Sequence, residues 1–354
     1  MGGPQRARER HRAGLGGDRP RRRPAREPPR RRHQGRYPPR AGSHPGRHRR
    51  RGGLACERRR QLCHRQHYRD RRREAVAVTA DAQGRELLAL ATEIAAAAAV
   101  VVERFAAERT YAIETKSSPT DLVTEADREA EALIVGRILA ARPNDGLLGE
   151  EGALAEGSTG IRWLIDPIDG TTNFVYGVPA YSVSIGVERQ GRMIAGVVHD
   201  VALREAYTAS LGGGAHLNGR PIHVSARTDL ASSLWGIGFA YDRLRRGKQA
   251  NFYDRVLTDI RDVRRMGSAA LDLCRVACGQ LDGYFEFQLN PWDIAAGGII
   301  VREAGGVTAG FFGHTFEDGY VLATNPHLAG PMAEVLRKYE EPQGPPVPPA
   351  APPA

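Results

Sequence analysis

The sequence predicts a mixed α/β fold in which sheets and helices lie in layers, and three observations lead there. Residues 84–107 repeat their apolar side chains at the helical period. From Leu147 onward, short apolar runs follow one another with Gly, Asn and Pro between them, as strands do. These strands come in consecutive groups rather than in regular alternation with helices, which favours layered sheets over a doubly wound parallel sheet.

In chain order, Leu87, Leu88, Leu90, Ala91, Ile94, Val101, Val102 and Phe105 mark the first helix, Gly84 to Ala107. Thr124, with Asp127 three residues later, fits a capping box that opens a second helix through Ala141, stopped by Pro143. Leu147-Leu148, Trp163-Leu164-Ile165, Tyr181 to Val187, Met193 to Val198 and Glu205 to Ala209 read as strands, and Gly212 to Gly219 as tight turns. Further strands are expected at Leu234 to Phe239, Asp262 to Met266 and Tyr284 to Phe287. Helices are expected at Ser268 to Ala277, ending at Gly279, at Trp292 to Ala304, and at about Leu328 to Tyr339.

The formal net charge of +10 hides two opposite regions. Residues 1–73 hold 26 of the 51 basic residues, all Arg, and five of the 41 acids, so they carry +21 and the remainder −11. The Arg-rich stretch has too little apolar surface to offset the entropy of ordering and is expected to be a disordered tail. It could bind nucleic acid through phosphate contacts, yet Arg without any Lys reads better as GC-rich DNA translated upstream of the true start. Cys56, Cys63, His64 and His67 lack the tight Cys pair of a zinc finger. Pro342 to Ala354 is expected to be a second disordered tail. Four cysteines make no disulfide framework, and Cys274 and Cys278 fall in a helical pattern as small core residues. The apolar run Ile94 to Val102 is too short to span a bilayer, and no apolar stretch follows the basic N-terminus, so a cytoplasmic protein without a membrane partner is expected.

The chemistry concentrates in Asp166-Pro167-Ile168-Asp169-Gly170-Thr171-Thr172-Asn173. An apolar strand delivers Asp166 at its end, Pro167 is expected to stop the ladder, and Asp169 follows closely enough for two carboxylates to converge. Hard divalent cations take such oxygen ligands, Mg²⁺ typically using one or two carboxylates with water and phosphate. Gly170, Thr171 and Thr172 offer N–H groups and hydroxyls at a helix start, a cradle for phosphate. Taken alone, the stretch is equally an Asp- and Gly-rich turn. Gly149-Glu150-Glu151-Gly152 again places acids after an apolar pair. Asp293, in Pro291-Trp292-Asp293, and Asp127 each sit in a first helical turn, where an acid also serves as a cap.

Together these blocks resemble the inositol monophosphatase family: Lys116 to Pro119 with Asp121 to Asp127, Gly149-Glu150-Glu151, Asp166 to Phe174, Gly267 to Ala270, and Trp292-Asp293. The resemblance covers residues 84–340, and several dispersed blocks in order are more specific than any one motif. It implies a layered α/β/α/β/α sandwich of the sugar-phosphatase type, usually a homodimer and often inhibited by lithium. It further implies that Glu150, Asp166, Asp169, Asp293 and the Ile168 carbonyl hold Mg²⁺, and that Thr171 and Glu150 position the water, with Asp127 behind the threonine hydroxyl. Gly170 and Thr171 receive phosphate, Asp169 also faces substrate, Glu286 contacts substrate hydroxyls, and Ala269 lies beside that pocket. The implied reaction is Mg²⁺-dependent hydrolysis of a small phosphate monoester such as myo-inositol 1-phosphate. Histidinol phosphate, fructose 1,6-bisphosphate and nucleotide 3′-phosphates are the alternatives.

Two rivals remain. Ile168-Asp169-Gly170-Thr171 looks like part of the haloacid-dehalogenase signature, but Pro167 stands where that mechanism needs a nucleophilic Asp. A nucleic-acid-binding regulator would use the basic arm, since the rest of the chain is acidic.

Overall fold

The computed structural model describes residues 81–109, 112–115 and 122–339. The readings of residues 1–73, of Cys56, Cys63, His64 and His67, of Lys116 to Asp121, and of Pro342 to Ala354 lie outside the described residues.

Helix α1 (Ala82–Glu108) is capped by the Asp81 side chain. A hairpin of β1 (Ile113–Thr115) and β2 (Leu122–Thr124) leads to α2 (Glu125–Ala141), which opens with the expected Thr124–Asp127 capping box. The larger sheet follows: β3 (Gly146–Gly149), β4 (Leu154–Ala155), β5 (Ile161–Asp169), β6 (Ser182–Arg189), β7 (Arg192–Asp200), β8 (Glu205–Ser210), β9 (Gly214–Leu217) and β10 (Arg220–Pro221), with the short helix α3 (Thr171–Tyr176) after β5. Its spatial order is β10-β9-β8-β7-β6-β5-β3-β4, antiparallel except where β3 runs parallel to β5. The smaller sheet takes β11 (Leu234–Ile237), β12 (Asp262–Arg264), β13 (Gly283–Glu286), β14 (Val307–Ala309) and β15 (Val321–Thr324) in the order β12-β11-β13-β15-β14. Helices α4 (Arg243–Val256), α5 (Ala269–Ala277), α6 (Pro291–Glu303) and α7 (Ala329–Lys338) complete the chain.

Three apolar clusters stack these elements into five layers. Leu87, Ile94 and Val102 of α1, with Ile134 and Ile138 of α2, pack on Trp163, Ile165, Ile185 and Val197 of the larger sheet. Helices α5 and α6 lie between the sheets, where Leu273, Ile299 and Ile300 meet Val198 and Tyr207 on one side and Tyr284 and Val321 on the other. Beyond the smaller sheet, Phe252 and Val256 of α4 and Met332 and Leu336 of α7 cover Trp235, Phe285 and Leu322. The α/β/α/β/α sandwich implied by the resemblance is the architecture found. Cys274 is buried and Cys278 half-buried, both as free thiols. No helix among the described residues is long and apolar enough to cross a membrane.

Two local expectations fail. Within Gly212 to Gly219, read as turns, Gly214–Leu217 is strand β9, because it pairs along β8 from Tyr207 to Ser210. Pro167 does not end the ladder at Asp166, because β5 continues to Asp169 with a register shift between Asp166 and Asp169. A proline lacks the N–H that regular pairing needs, and a bulge is where a sheet tolerates it. The bulge changes the direction of the chain while keeping both carboxylates on the strand.

Candidate active site

The site forms where the larger sheet ends beneath the N-termini of α3, α5 and α6. Strand β3 runs parallel to β5 with Gly149 opposite Ile165, and the Glu150 N–H donates to the Ile165 carbonyl at 3.1 Å. That bond sets the turn carrying Glu150 beside the end of β5. The Glu131 carboxylate, on the buried face of α2, accepts from the Glu151 N–H at 2.9 Å and the Ala153 N–H at 3.0 Å. A Cβ on Gly149 would press on the Glu131 carboxylate and meet Ala153 Cβ at 2.9 Å, so glycine allows the close approach there.

Asp127 is fully buried one helical turn before Glu131. Its Oδ2 accepts from the Thr124 N–H at 2.7 Å and the Thr124 hydroxyl at 2.6 Å. Its Oδ1 faces the Thr171 hydroxyl at 3.3 Å, and the same hydroxyl lies 3.0 Å from the Ile168 carbonyl. Thr171 begins α3 immediately after Gly170, whose φ of 96° is left-handed.

Asp169 reaches across to α5. Its carboxylate accepts from the Ser268 hydroxyl, from the Ala269 N–H at 3.2 Å and from the Ala270 N–H at 2.7 Å. Those donors and the helix N-terminus favour the ionised form, but burial outweighs them and pushes the carboxyl up to about 6. Asp166 is raised well above the carboxylate range, first by burial and then by the charges of Glu150, Asp169 and Asp293. Asp293 closes a capping box with Asn290, whose N–H it accepts at 2.7 Å, and is likewise raised by burial and by Glu150 and Asp169. The cap and site readings of Asp293 and Asp127 are therefore not exclusive. On the smaller sheet, Glu286 of β13 accepts from the Tyr284 hydroxyl, and burial pushes its carboxyl up to about 7. Asp169 and Arg265 both act on Glu286 electrostatically, which brings the end of β13 to the same site. Ala269, nearly buried, lies against Asp169.

The structure thus brings Glu150, Asp166, Asp169 and Asp293 into one electrostatically connected cluster. Among the described residues, no three His, Cys, Asp or Glu side chains stand in ready-made ligating geometry. The donor set still fits a hard cation: the oxygens are carboxylate, like charges oppose one another, and the buried Asp166 Oδ1 has no hydrogen-bond partner.

The sequence profile of the Inositol monophosphatase family matches residues 83–341. The chain belongs to that family. An inositol-1-monophosphatase of Rhizobium meliloti is 43% identical over 224 residues, covering 62% of this chain and 84% of that protein. One from Mycobacterium bovis is 50% identical over 203 residues, covering 55% of this chain and 70% of that protein. Among solved structures, the extragenic suppressor protein SuhB of Bartonella henselae superposes with a TM-score of 0.68 at 35% identity, over 72% of this chain and 99% of that one. SuhB of Mycobacterium tuberculosis gives 0.63 at 38% identity, over 73% and 98%. The chain is accordingly a phosphoric monoester hydrolase of the inositol monophosphatase type, which sets the dehalogenase-like alternative aside.

Two residues of this inositol monophosphatase family member escaped the sequence reading. Glu131 lies four residues after Asp127, so two acids share the buried face of α2 with Ala126, Ala130 and Ile134. That spacing was the available signal. Ser268 both caps α5 and donates to Asp169, a double use that its sequence position does not distinguish from capping alone.

Proposed function

We propose that the protein hydrolyses a small polyol monophosphate, myo-inositol 1-phosphate or a close analogue, with Mg²⁺ held by Glu150, Asp166, Asp169, Asp293 and the Ile168 carbonyl. The observation that carries this reading is the opposition of the buried Asp166 by the charges of Glu150, Asp169 and Asp293, together with its unpartnered oxygen. When bound, Mg²⁺ would neutralise the phosphate dianion and make water acidic enough to attack near neutral pH.

The chain's own residues supply orientation. With its proton directed to Asp127 Oδ1 or the Ile168 carbonyl, the Thr171 hydroxyl presents its lone pairs to the site, where they accept from the attacking water. Glu150, on the neighbouring turn, aligns the same water. The N–H groups of Gly170 and Thr171, unpaired within the first turn of α3, serve the phosphate oxygens. Glu286 accepts from substrate hydroxyls and so favours a polyol leaving group, with Ala269 beside the same pocket. We place the enzyme in the cytoplasm as a homodimer, in line with its free thiols and with family expectation.

Phosphate release from inositol, histidinol, sugar and nucleotide phosphates, with and without Mg²⁺, tests the proposal. The expected result is Mg²⁺-dependent turnover that is fastest on inositol phosphate. Turnover unaffected by chelation, or preference for histidinol phosphate, fructose 1,6-bisphosphate or a nucleotide 3′-phosphate, overturns the metal or the substrate part respectively.

A relative in Pasteurella multocida, 42% identical over 230 residues, is named Nus factor SuhB. That name favours a second reading, a regulatory role beside hydrolysis; the basic composition of residues 1–73 would make them the segment that contacts nucleic acid. Binding that persists with a steep salt dependence after their removal counts against that division.

A further inference from the structure

Strands β12, β11 and β13 run parallel side by side, with Arg264, Gly236 and Tyr284 at one level. The chain leaves all three at the same edge of the smaller sheet, where Arg265 follows β12, Gly238 follows β11 and Glu286 ends β13. The carboxyl edge of parallel strands is where open α/β sheets take their ligands. The Glu286 carboxylate occupies the space that a Cβ on Gly238 would need, so it leans across β11 towards β12. Its Oε2 accepts from the Tyr284 hydroxyl, and its Oε1 receives no hydrogen bond from a described residue.

Arg265 enters from the other side. Its guanidinium lies against Gly267, where a Cβ would meet Nη1 at 2.5 Å. Gly267 in turn adjoins Gly170, on which a Cβ would meet the Gly267 carbonyl oxygen at 3.2 Å. Arg265 is exposed, and its side chain makes no ion pair and no hydrogen bond with a described residue. Burial raises the carboxyl of Glu286 and the hydroxyls of Tyr241 and Tyr253, and in each case the Arg265 charge pulls the other way. The guanidinium therefore faces the Glu286 end of the site without being consumed by an ion pair there.

A cation and a carboxylate that share a gap without pairing suit a group that accepts from one and donates to the other, and a neutral hydroxyl does both. An ammonium has no lone pair for the guanidinium, and a phosphate dianion has no proton for the carboxylate. We propose that Arg265 is a specificity-determining residue: its guanidinium donates to a substrate hydroxyl whose proton goes to Glu286 Oε1, so that the pocket selects a neutral polyol over an amino alcohol or a bisphosphate. The inference rests on the polyol reading above and names the donor that Glu286 alone does not supply.

Steady-state kinetics of the full chain carrying Arg265→Ala test it. On myo-inositol 1-phosphate, KM is expected to rise about 10-fold, the order of one charge-assisted hydrogen bond at an exposed group, with kcat nearly unchanged because the contact serves ground and transition states alike. On phenyl phosphate, which carries no hydroxyl, both constants are expected to match those of the unaltered chain. Histidinol phosphate, relieved of a like charge, is expected to gain in kcat/KM. Equal losses on myo-inositol 1-phosphate and phenyl phosphate would place Arg265 on the phosphate and overturn the assignment. An unchanged KM for myo-inositol 1-phosphate, or a loss on histidinol phosphate, overturns it too. Should the unaltered chain turn over myo-inositol 1-phosphate no faster than phenyl phosphate, the polyol reading fails. The effect of Arg265→Ala on glycerol 2-phosphate against phenyl phosphate then decides whether Arg265 reads a hydroxyl.

Discussion

Alternate residues of β5 and β6 serve two different layers. Toward α1 and α2 they present Trp163, Ile165, Val183, Ile185 and Val187, all fully buried in one apolar cluster. Toward α6 they present Asp166, Ser182, Ser184 and Gly186 at similar burial. The period of two makes the separation possible, since neighbours on a strand never compete for the same environment. Removing apolar surface from water favours folding, whereas burying carboxylates and hydroxyls opposes it unless each finds a partner. One face therefore holds the sheet together, and the other keeps strained chemistry in a rigid frame.

The largest expected effect comes from removing charge on the inner face. Asp169→Asn should reduce kcat by about 10²–10³-fold, on the order of what one preorganised electrostatic group supplies. Its melting temperature should change by only a few degrees. A near-normal rate at saturating Mg²⁺ would break the comparison, because the inner face would then be dispensable for chemistry. The outer face predicts the reverse pattern. Ile185→Ala should cost about 2–5 kcal/mol of stability, read from denaturant unfolding, and leave kcat/KM at low temperature nearly unchanged. Equal losses of stability and activity would show that the two faces are not separable.

Much of this division was legible in the sequence. The apolar outer face announced itself as Trp163-Leu164-Ile165 and Tyr181 to Val187, and the acids stood out because carboxylates rarely follow buried strands. The path through Pro167 was not legible, since strand and bulge differ by pairing partners that lie elsewhere in the chain. Helix α4 was missed as well. Arg243, Arg245, Arg246 and Lys248 crowd its start, and its buried contacts fall late, at Phe252, Tyr253 and Val256. Strands β14 and β15 are three and four residues long, and they are strands only because the smaller sheet receives them. The expectation that Asp293 could be either cap or site residue dissolved for a physical reason: a carboxylate has two oxygens, and the Asn290 N–H occupies one.

Glu131 sharpens the comparison from outside the sheet. It lies on α2, whose Ile134 and Ile138 pack on the outer face of the larger sheet, yet like Asp127 it serves the site, holding the turn that carries Glu150. Glu131→Gln keeps one acceptor oxygen for two N–H donors. The expected outcome is about a 10-fold weaker apparent Mg²⁺ affinity, with the helix and its core intact. An unaltered Mg²⁺ dependence would show that the turn carrying Glu150 does not need the Glu131 carboxylate.

The smallest effect per step concerns α5, where Asp272 lies buried in the layer between the two sheets. Burial pushes its carboxyl up to about 8, although Arg275 at 3.1 Å pulls the other way. The folded state therefore holds a proton on Asp272 over a range where the unfolded chain, with an ordinary value of 3.8, has lost it. Stability from this group is complete below pH ~4 and declines as pH rises towards about 8, by at most about 1.4 kcal/mol per pH unit. Asp272→Asn cannot ionise, so its melting temperature in metal-free buffer should fall less steeply across that window than that of the unaltered chain. Parallel curves would mean that Asp272 is already ionised against Arg275 in the folded state. The layer between the sheets would then tolerate a buried charge where it has a cationic partner, and the resistance to ionisation at Asp166 would be particular to a face that offers none.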